Sequence, residues 1–239
     1  MRTTIARRFC GPPESANGGW VCGLLAGVVT TTAAAPAVTV RLSSPPPLER
    51  PLELERTGEG GAVLRDGDHV VATAVPAPAP TGHLPDPVRA ADARRAATAY
   101  EGLAGHPFPT CFSCGTAREP GDGLALRPGP LADGTGRYAA PWVPLDVDLP
   151  VVWAALDCPG GWAAGIAGRP MVLGTMTALV AALPRVGEEH VLLAWQRSQE
   201  GRKHLSGSAL LTADGQVLAR AQATWLAVDP TSVRPREPR

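Results

Sequence analysis

The order of apolar patterns along this chain predicts an α+β architecture in which one unit, a helix followed by an antiparallel sheet, is written twice. Three observations carry the prediction. Residues 18–23 read Gly-Gly-Trp-Val-Cys-Gly and residues 160–165 read Gly-Gly-Trp-Ala-Ala-Gly, each leading into a small-residue apolar stretch. Alternating runs follow both: Ala37–Leu42 then Leu52–Glu55 in the first half, Val172–Val180 then His190–Trp195 in the second. Each half closes on a hairpin turning at Asp-Gly, Asp66-Gly67 and Asp214-Gly215. A repeat of this length has the size of a small domain and is too long for a solenoid.

Taken in order, the elements begin with Arg7-Arg8-Phe9 ahead of the apolar stretch Trp20–Val29, which has the outline of a twin-arginine leader. Pro12, Pro13, Glu14 and Asn17 separate the arginines from that stretch, and the stretch is the one matched in the second half. We therefore read it as structure and expect a cytoplasmic protein. Asn17 precedes the first helix and Asp157 the second, and either side chain can cap free amides. On this reading Gly160 and Gly161 open the second helix. Gly and Ala along both stretches permit close packing against a sheet. The alternating runs have the period of strands with one buried face, and Asp-Gly suits a tight primed turn. Prolines cluster at 45–51, 76–87 and 107–109, where they mark loops. The expected division is a first unit at 1–76, a largely irregular connector at 77–110, a second unit at 111–229 and a flexible tail at 230–239.

Charge excludes several partners. Lys+Arg and Asp+Glu number 22 each, and His83, Arg89, Arg94 and Arg95 form no sustained basic stripe, so no nucleic-acid partner is expected. No apolar run approaches the length of a membrane span, so no membrane partner is expected. A nucleophile elbow, a phosphate-binding Gly-x-x-x-x-Gly-Lys and a His-Glu-x-x-His are all absent.

The runs Asn17-Gly18-Gly19-x-x-x-Gly23, Ser44-Pro45-Pro46-Pro47, Trp153–Asp157 and Gly201-Arg202-Lys203 … Asp214-Gly215-x-Val217-Leu218-Ala219 together resemble double-hotdog acyl-CoA thioesterases of the thioesterase II type. Cys111-Phe112-Ser113-Cys114-Gly115 … Gly121-Asp122-Gly123-Leu124 resembles the opening of small single-hotdog thioesterases. The resemblance implies a tandem hotdog, each unit an antiparallel sheet wrapped around a central helix. It also implies a thioester hydrolase acting on acyl-CoA or a related acyl thioester, without a cofactor. One chain then holds both halves of the usual hotdog dimer, so a monomer suffices and a homo-oligomer of such chains is the alternative.

A helix N-terminus presents unpaired amides and partial positive charge, which stabilise a developing oxyanion. Asn17, Gly18, Gly19, Gly160 and Gly161 are the candidates for that role. Asp157 is the candidate base or nucleophile, set against the plainer role of a cap. The resemblance adds a threonine and a glutamine that position water; Thr175 and Thr177 lie near the expected threonine, imperfectly placed, and Gln222 falls about one residue out of register. A one-residue offset turns a strand side chain to the other face. Arg202 and Lys203 are candidate contacts for the phosphates of coenzyme A, against the reading of a solvated turn.

Cysteines stand at 10, 22, 111, 114 and 158. Cys111-x-x-Cys114, with His106 and Cys158, is weighed as a zinc site. The ligands are too few and too dispersed along the chain, so no metal site is expected and the thiols are read as reduced. A non-catalytic hotdog module that binds an acyl chain, acyl-CoA or a protein partner is the main alternative function. A hydratase ranks third, because no Asp…His dyad stands at a helix start.

Overall fold

The computed structural model describes residues 1–236 of the chain. In order it contains β1 (Arg2–Thr4), α1 (Gly18–Ala26), β2 (Ala37–Leu42), β3 (Pro51–Arg56), β4 (Ala62–Asp66), β5 (His69–Ala77) and α2 (Ala90–Thr98). There follow β6 (Gly129–Pro130), β7 (Tyr138–Trp142), α3 (Leu149–Ala163), β8 (Met171–Val180), β9 (His190–Glu200), β10 (Lys203–Thr212) and β11 (Val217–Ala227). All strands join one antiparallel sheet in the order β1-β3-β4-β5-β2-β8-β11-β10-β9-β7-β6. After α1 the strands lie β3-β4-β5-β2; after α3 they lie in the mirrored order, β8-β11-β10-β9. The halves meet where β2 pairs with β8, Val38 opposite Ala178 and Arg41 opposite Thr175. Away from the helices, the hydroxyls of Thr39 and Thr177 meet across this seam at 2.7 Å.

The alternating runs become strands because one face of each is apolar. Val38 and Val40 of β2, Leu52 and Leu54 of β3, and Leu64 of β4 all point into the core. Asp66-Gly67 and Asp214-Gly215 do turn the two hairpins, with Gly67 and Gly215 at φ of 57° and 91°, left-handed values that glycine adopts without a Cβ clash.

The helices lie on one face of the sheet and pack antiparallel against each other. The contact depends on two glycines one turn apart. A Cβ on Gly19 would stand 2.4 Å from the Asp157 Cβ and 2.7 Å from the Trp153 carbonyl; one on Gly23 would stand 2.5 Å from the Pro150 Cα. Only glycine lets the backbones approach this closely.

Three sequence expectations need correction. The second helix starts at Leu149, not beside Gly160. Asp148 is its cap, its carboxylate accepting the Val151 N–H at 2.8 Å, and Pro150 sits in the first turn, where its missing N–H is no loss. The apolar run Val151–Leu156 is therefore helix, and Pro159 and Gly160 lie inside it. Tertiary contacts brace the helix there: the hydroxyls of Ser113 and Ser208 donate to the carbonyls of Ala154 and Leu156 at 2.8 and 2.7 Å. In consequence the two Gly-Gly-Trp runs are not equivalent, since the first opens α1 and the second lies in the last turns of α3.

The connector, expected to be largely irregular, carries one α-helix. Its helix α2 places Ala93 and Ala96 on the outer face of the sheet, against Val191, Leu193 and Ala209. The core face of the same strands carries Leu192 and Leu210. With both faces covered, His190–Ala194 is buried throughout instead of alternating. Of the tail expected at 230–239, residues 237–239 lie outside the described residues; Pro230–Ser232 forms a single 3₁₀ turn and Val233 is buried. Among the described residues no helix is long and apolar enough to cross a membrane.

Gly23→Ala should force the helices apart and cost about 1–3 kcal/mol, as overpacking of a tight interior does. Gly58→Ala, where a Cβ meets open space, is the control and should leave stability unchanged or slightly raised. Urea unfolding of the three proteins decides it; a Gly23→Ala variant as stable as the parent would refute the close-approach account.

Candidate active site

A cavity of about 270 Å³ opens between the N-terminus of α1, the middle of α3 and the ends of β8 and β11. Leu42, Phe108, Trp162, Ile166, Met171 and Leu173 make much of its wall apolar, and Val233 of the tail closes one side. Asn17, Gly18, Asp157 and the thiols of Cys111, Cys114 and Cys158 supply its polar groups, with His106 at the same wall.

The first turn of α1 is built so that one amide remains unused. Asn17 Oδ1 accepts the Trp20 N–H at 2.8 Å, and the Gly19 N–H donates to Asp157 Oδ2 at 2.9 Å. The Gly18 N–H has no acceptor among the described residues, and Gly18 borders the cavity. Leu173 and Leu42 press against this turn so closely that a Cβ on Gly18 would stand 2.9 Å from the Leu173 Cβ. The positive end of α1 is thus held against the cavity wall by apolar packing.

Asp157 serves a different helix from the one expected. It lies in the interior of α3 and caps nothing there; its carboxyl reaches across the glycine contact to the N-terminus of α1. The side chain is 2% exposed, and its Oδ1 has no hydrogen-bond partner among the described residues. Burial is the main reason its pKa is pushed up to about 8; the nearby Cys111 sulfur adds to the rise and the Gly19 N–H opposes it.

The other expected site residues divide. Asn17, Gly18, Gly19 and Asp157 come together. Gly160 and Gly161 do not form a helix N-terminus: lying near the C-terminal end of α3, they make room for Ser206 and for the Trp225 ring, a Cβ on Gly161 standing 2.9 Å from that ring. Thr175 is not at the cavity wall; it alternates with the core residue Met176 and faces away from the helices. Gln222 also turns away, its amide donating to the Thr81 carbonyl of the connector, the consequence of its one-residue offset. Arg202, in the turn between β9 and β10, and Lys203, the first residue of β10, are exposed and outside the cavity wall. The Asp-Thr-Gln relay is therefore not assembled by these residues.

The thiol expectation also changes. Cys111, Cys114 and Cys158, remote in sequence, have their sulfurs within 4.8 Å of one another. His106 Nε2 lies 3.3 Å from Cys114 Sγ. The premise that these residues are dispersed fails in space, because Cys158 on α3 and the loop at 111–114 meet at the cavity.

No protein-family profile matches the chain, and no curated relative does. Solved structures do. A hot dog fold protein from Alicyclobacillus acidocaldarius is 14% identical, with 96% of this chain and 93% of that one covered and a TM-score of 0.60. An acyl-CoA thioesterase II from Mycobacterium marinum is 14% identical, covering 96% and 93%, at a TM-score of 0.58. The dehydratase domain of PpsC from Mycobacterium tuberculosis, solved with C12:1-CoA, is 14% identical, covering 95% and 92%, at 0.60. The fold is the hotdog fold. Because structures with this fold carry both thioesterase and dehydratase names, the chemistry has to be argued from the site.

A buried carboxyl with a raised pKa makes stability depend on pH. Between about pH 4 and pH 8 folded Asp157 keeps a proton that the unfolded chain releases, so its contribution to stability falls as pH rises through that window. Asp157→Asn does not titrate there. From pH 5 to pH 8.5 the stability of the variant should gain on the parent by at least about 1.4 kcal/mol, the equivalent of one unit of pKa shift. Urea unfolding at both pH values measures this, and parallel pH curves would rule out a buried, protonated Asp157.

Proposed function

We propose that the protein hydrolyses acyl thioesters, with acyl-CoA as the substrate class. One observation carries the reading: the unpaired Gly18 amide and the unpartnered Asp157 Oδ1 stand together at the N-terminus of α1, beside a largely apolar cavity. The apolar wall suits an acyl chain. The thioester carbonyl oxygen sits against the Gly18 N–H, and ionised Asp157 takes a proton from a water held at Oδ1. The resulting hydroxide adds to the carbonyl carbon, and charge develops on the oxygen that faces the helix N-terminus. Collapse of the intermediate breaks the C–S bond, and Asp157 returns its proton to the leaving thiolate. The Gly19 N–H holds the carboxylate in place throughout.

The same element order in both halves supports a duplicated unit, divided at 1–76 and 111–229 as the sequence suggests, with 77–110 between them. Thr175, Gln222, Arg202 and Lys203 have no part in this mechanism. A dehydratase is disfavoured because His106 is committed elsewhere: its Nδ1 accepts the Phe108 N–H at 2.9 Å while Nε2 faces Cys114. The second reading, a module that binds acyl groups without cleaving them, is favoured by the burial that pushes the Asp157 pKa up to about 8.

Thiol release from a panel of acyl-CoAs of varied chain length separates the two. As hydrolysis requires ionised Asp157, kcat/KM should climb with pH and level off above about 8. Asp157→Asn should lower turnover roughly 100-fold or more, the scale of losing a general base. A variant as active as the parent would take Asp157 out of the mechanism, and binding without thiol release by the parent would establish the module.

A further inference from the structure

The cavity wall carries a second constellation that the hydrolytic mechanism leaves unused. Cys111, Cys114 and Cys158 converge there, each buried. The Cys111 and Cys158 sulfurs are 3.6 Å apart, too far for a disulfide, and all three sulfurs lie within 4.8 Å of one another. Tetrahedral zinc with Zn–S bonds of about 2.3 Å spaces its sulfur ligands about 3.8 Å apart. The trio thus stands close to the spacing of three vertices of a zinc tetrahedron.

The surroundings of the sulfurs point the same way. Neutral thiols are weak hydrogen-bond acceptors, yet N–H groups gather on these three. Asn17 Nδ2 reaches Cys111 at 3.7 Å and Cys158 at 3.9 Å, and Trp162 Nε1 reaches Cys114 at 3.5 Å. The chain turns at 111–114 and brings the Cys111 and Cys114 sulfurs together. That turn is closed by Gly115, whose N–H donates to the Cys111 carbonyl at 2.8 Å and whose Cβ, if present, would stand 2.5 Å from that oxygen. Such donors stabilise thiolates, and three thiolates in one buried cluster require a cation.

His106 completes this shell without joining the ligands. The Phe108 N–H can only donate, so Nδ1 accepts and the ring proton sits on Nε2, aimed at Cys114 Sγ. Since all three cysteines border the cavity, the fourth coordination position is left to water or to a group of the bound molecule.

We propose that Cys111, Cys114 and Cys158 bind one zinc ion as thiolates, with the fourth position open to the cavity and His106 a hydrogen-bond donor to the Cys114 sulfur. The site shares a wall with Asp157, but its test uses no substrate, so either reading can fail alone. Protein purified under reducing conditions without chelator should carry about one zinc per chain by elemental analysis. Replacement by cobalt(II) should give near-ultraviolet thiolate-to-cobalt charge transfer and the visible bands of a four-coordinate ion. Cys111→Ser and Cys158→Ser should each lose the metal, while Cys10→Ser, whose sulfur is outside the trio and is bonded to the Thr110 carbonyl, and His106→Gln should keep it. Because a serine variant can also fail by unfolding, the parent is stripped by a strong chelator and titrated with zinc. One equivalent should bind and raise the melting temperature. Parent protein that takes up neither zinc nor cobalt, or that is isolated with a Cys111–Cys158 disulfide, would overturn the site. Retention of metal by Cys158→Ser would overturn it equally, and loss from His106→Gln would overturn the open fourth position.

Discussion

The structure depends on the crossing of two helices at a distance that only glycine allows. Gly19 and Gly23 of α1 let the backbone of α3 approach until the Asp157 carboxyl meets the amide of Gly19. With a Cβ at either position the helices would stand further apart, the Asp157–Gly19 hydrogen bond would lengthen or break, and the sheet that covers both helices would have to splay. The interior is close-packed, so a shift at this point spreads into Leu42, Leu173 and Trp225 rather than being absorbed. A packing constraint and a chemical one are therefore the same contact.

That contact also sets the electrical character of the cavity. Water-excluding walls raise the proton affinity of Asp157, while one helix-terminal amide pulls it back. The buried Cys22 thiol is shifted the same way, its pKa raised mainly by burial and further by the nearby Asp157.

Much of the fold was legible in the chain. Strand positions followed from period-2 alternation, and both hairpins from Asp-Gly, because a half-buried strand and a left-handed turn each impose a local residue preference. The start of α3 was not, because Pro159-Gly160-Gly161 reads as a break while the hydroxyls that support the helix there come from Ser113 and Ser208, distant in sequence. Asp157 was identifiable as the residue of interest, but its partner was not, since nothing local says that a side chain on one helix will serve the amide of another. The thiol trio was half visible: Cys111-x-x-Cys114 is a local motif, whereas Cys158 joins it only through the helix crossing. Trp225 gives no chemical signal in sequence, and Ser44-Pro45-Pro46 carries a resemblance without saying what it borders; both enter the cavity by topology.

The pairing of β2 with β8 has a kinetic and evolutionary consequence. The cavity takes its helix N-terminus from one half of the chain and its carboxyl and thiols from the other. Were the halves separate molecules, that assembly would depend on concentration and would come apart on dilution. Joined by one polypeptide, they face each other at an effective concentration set by the linker, and folding becomes a first-order event. Tethering also removes the requirement that both halves be identical. A symmetric pair must build every site twice, whereas here the two helix termini differ: each is capped by its own side chain, Asn17 or Asp148, but only α1 also receives a carboxyl from the other helix.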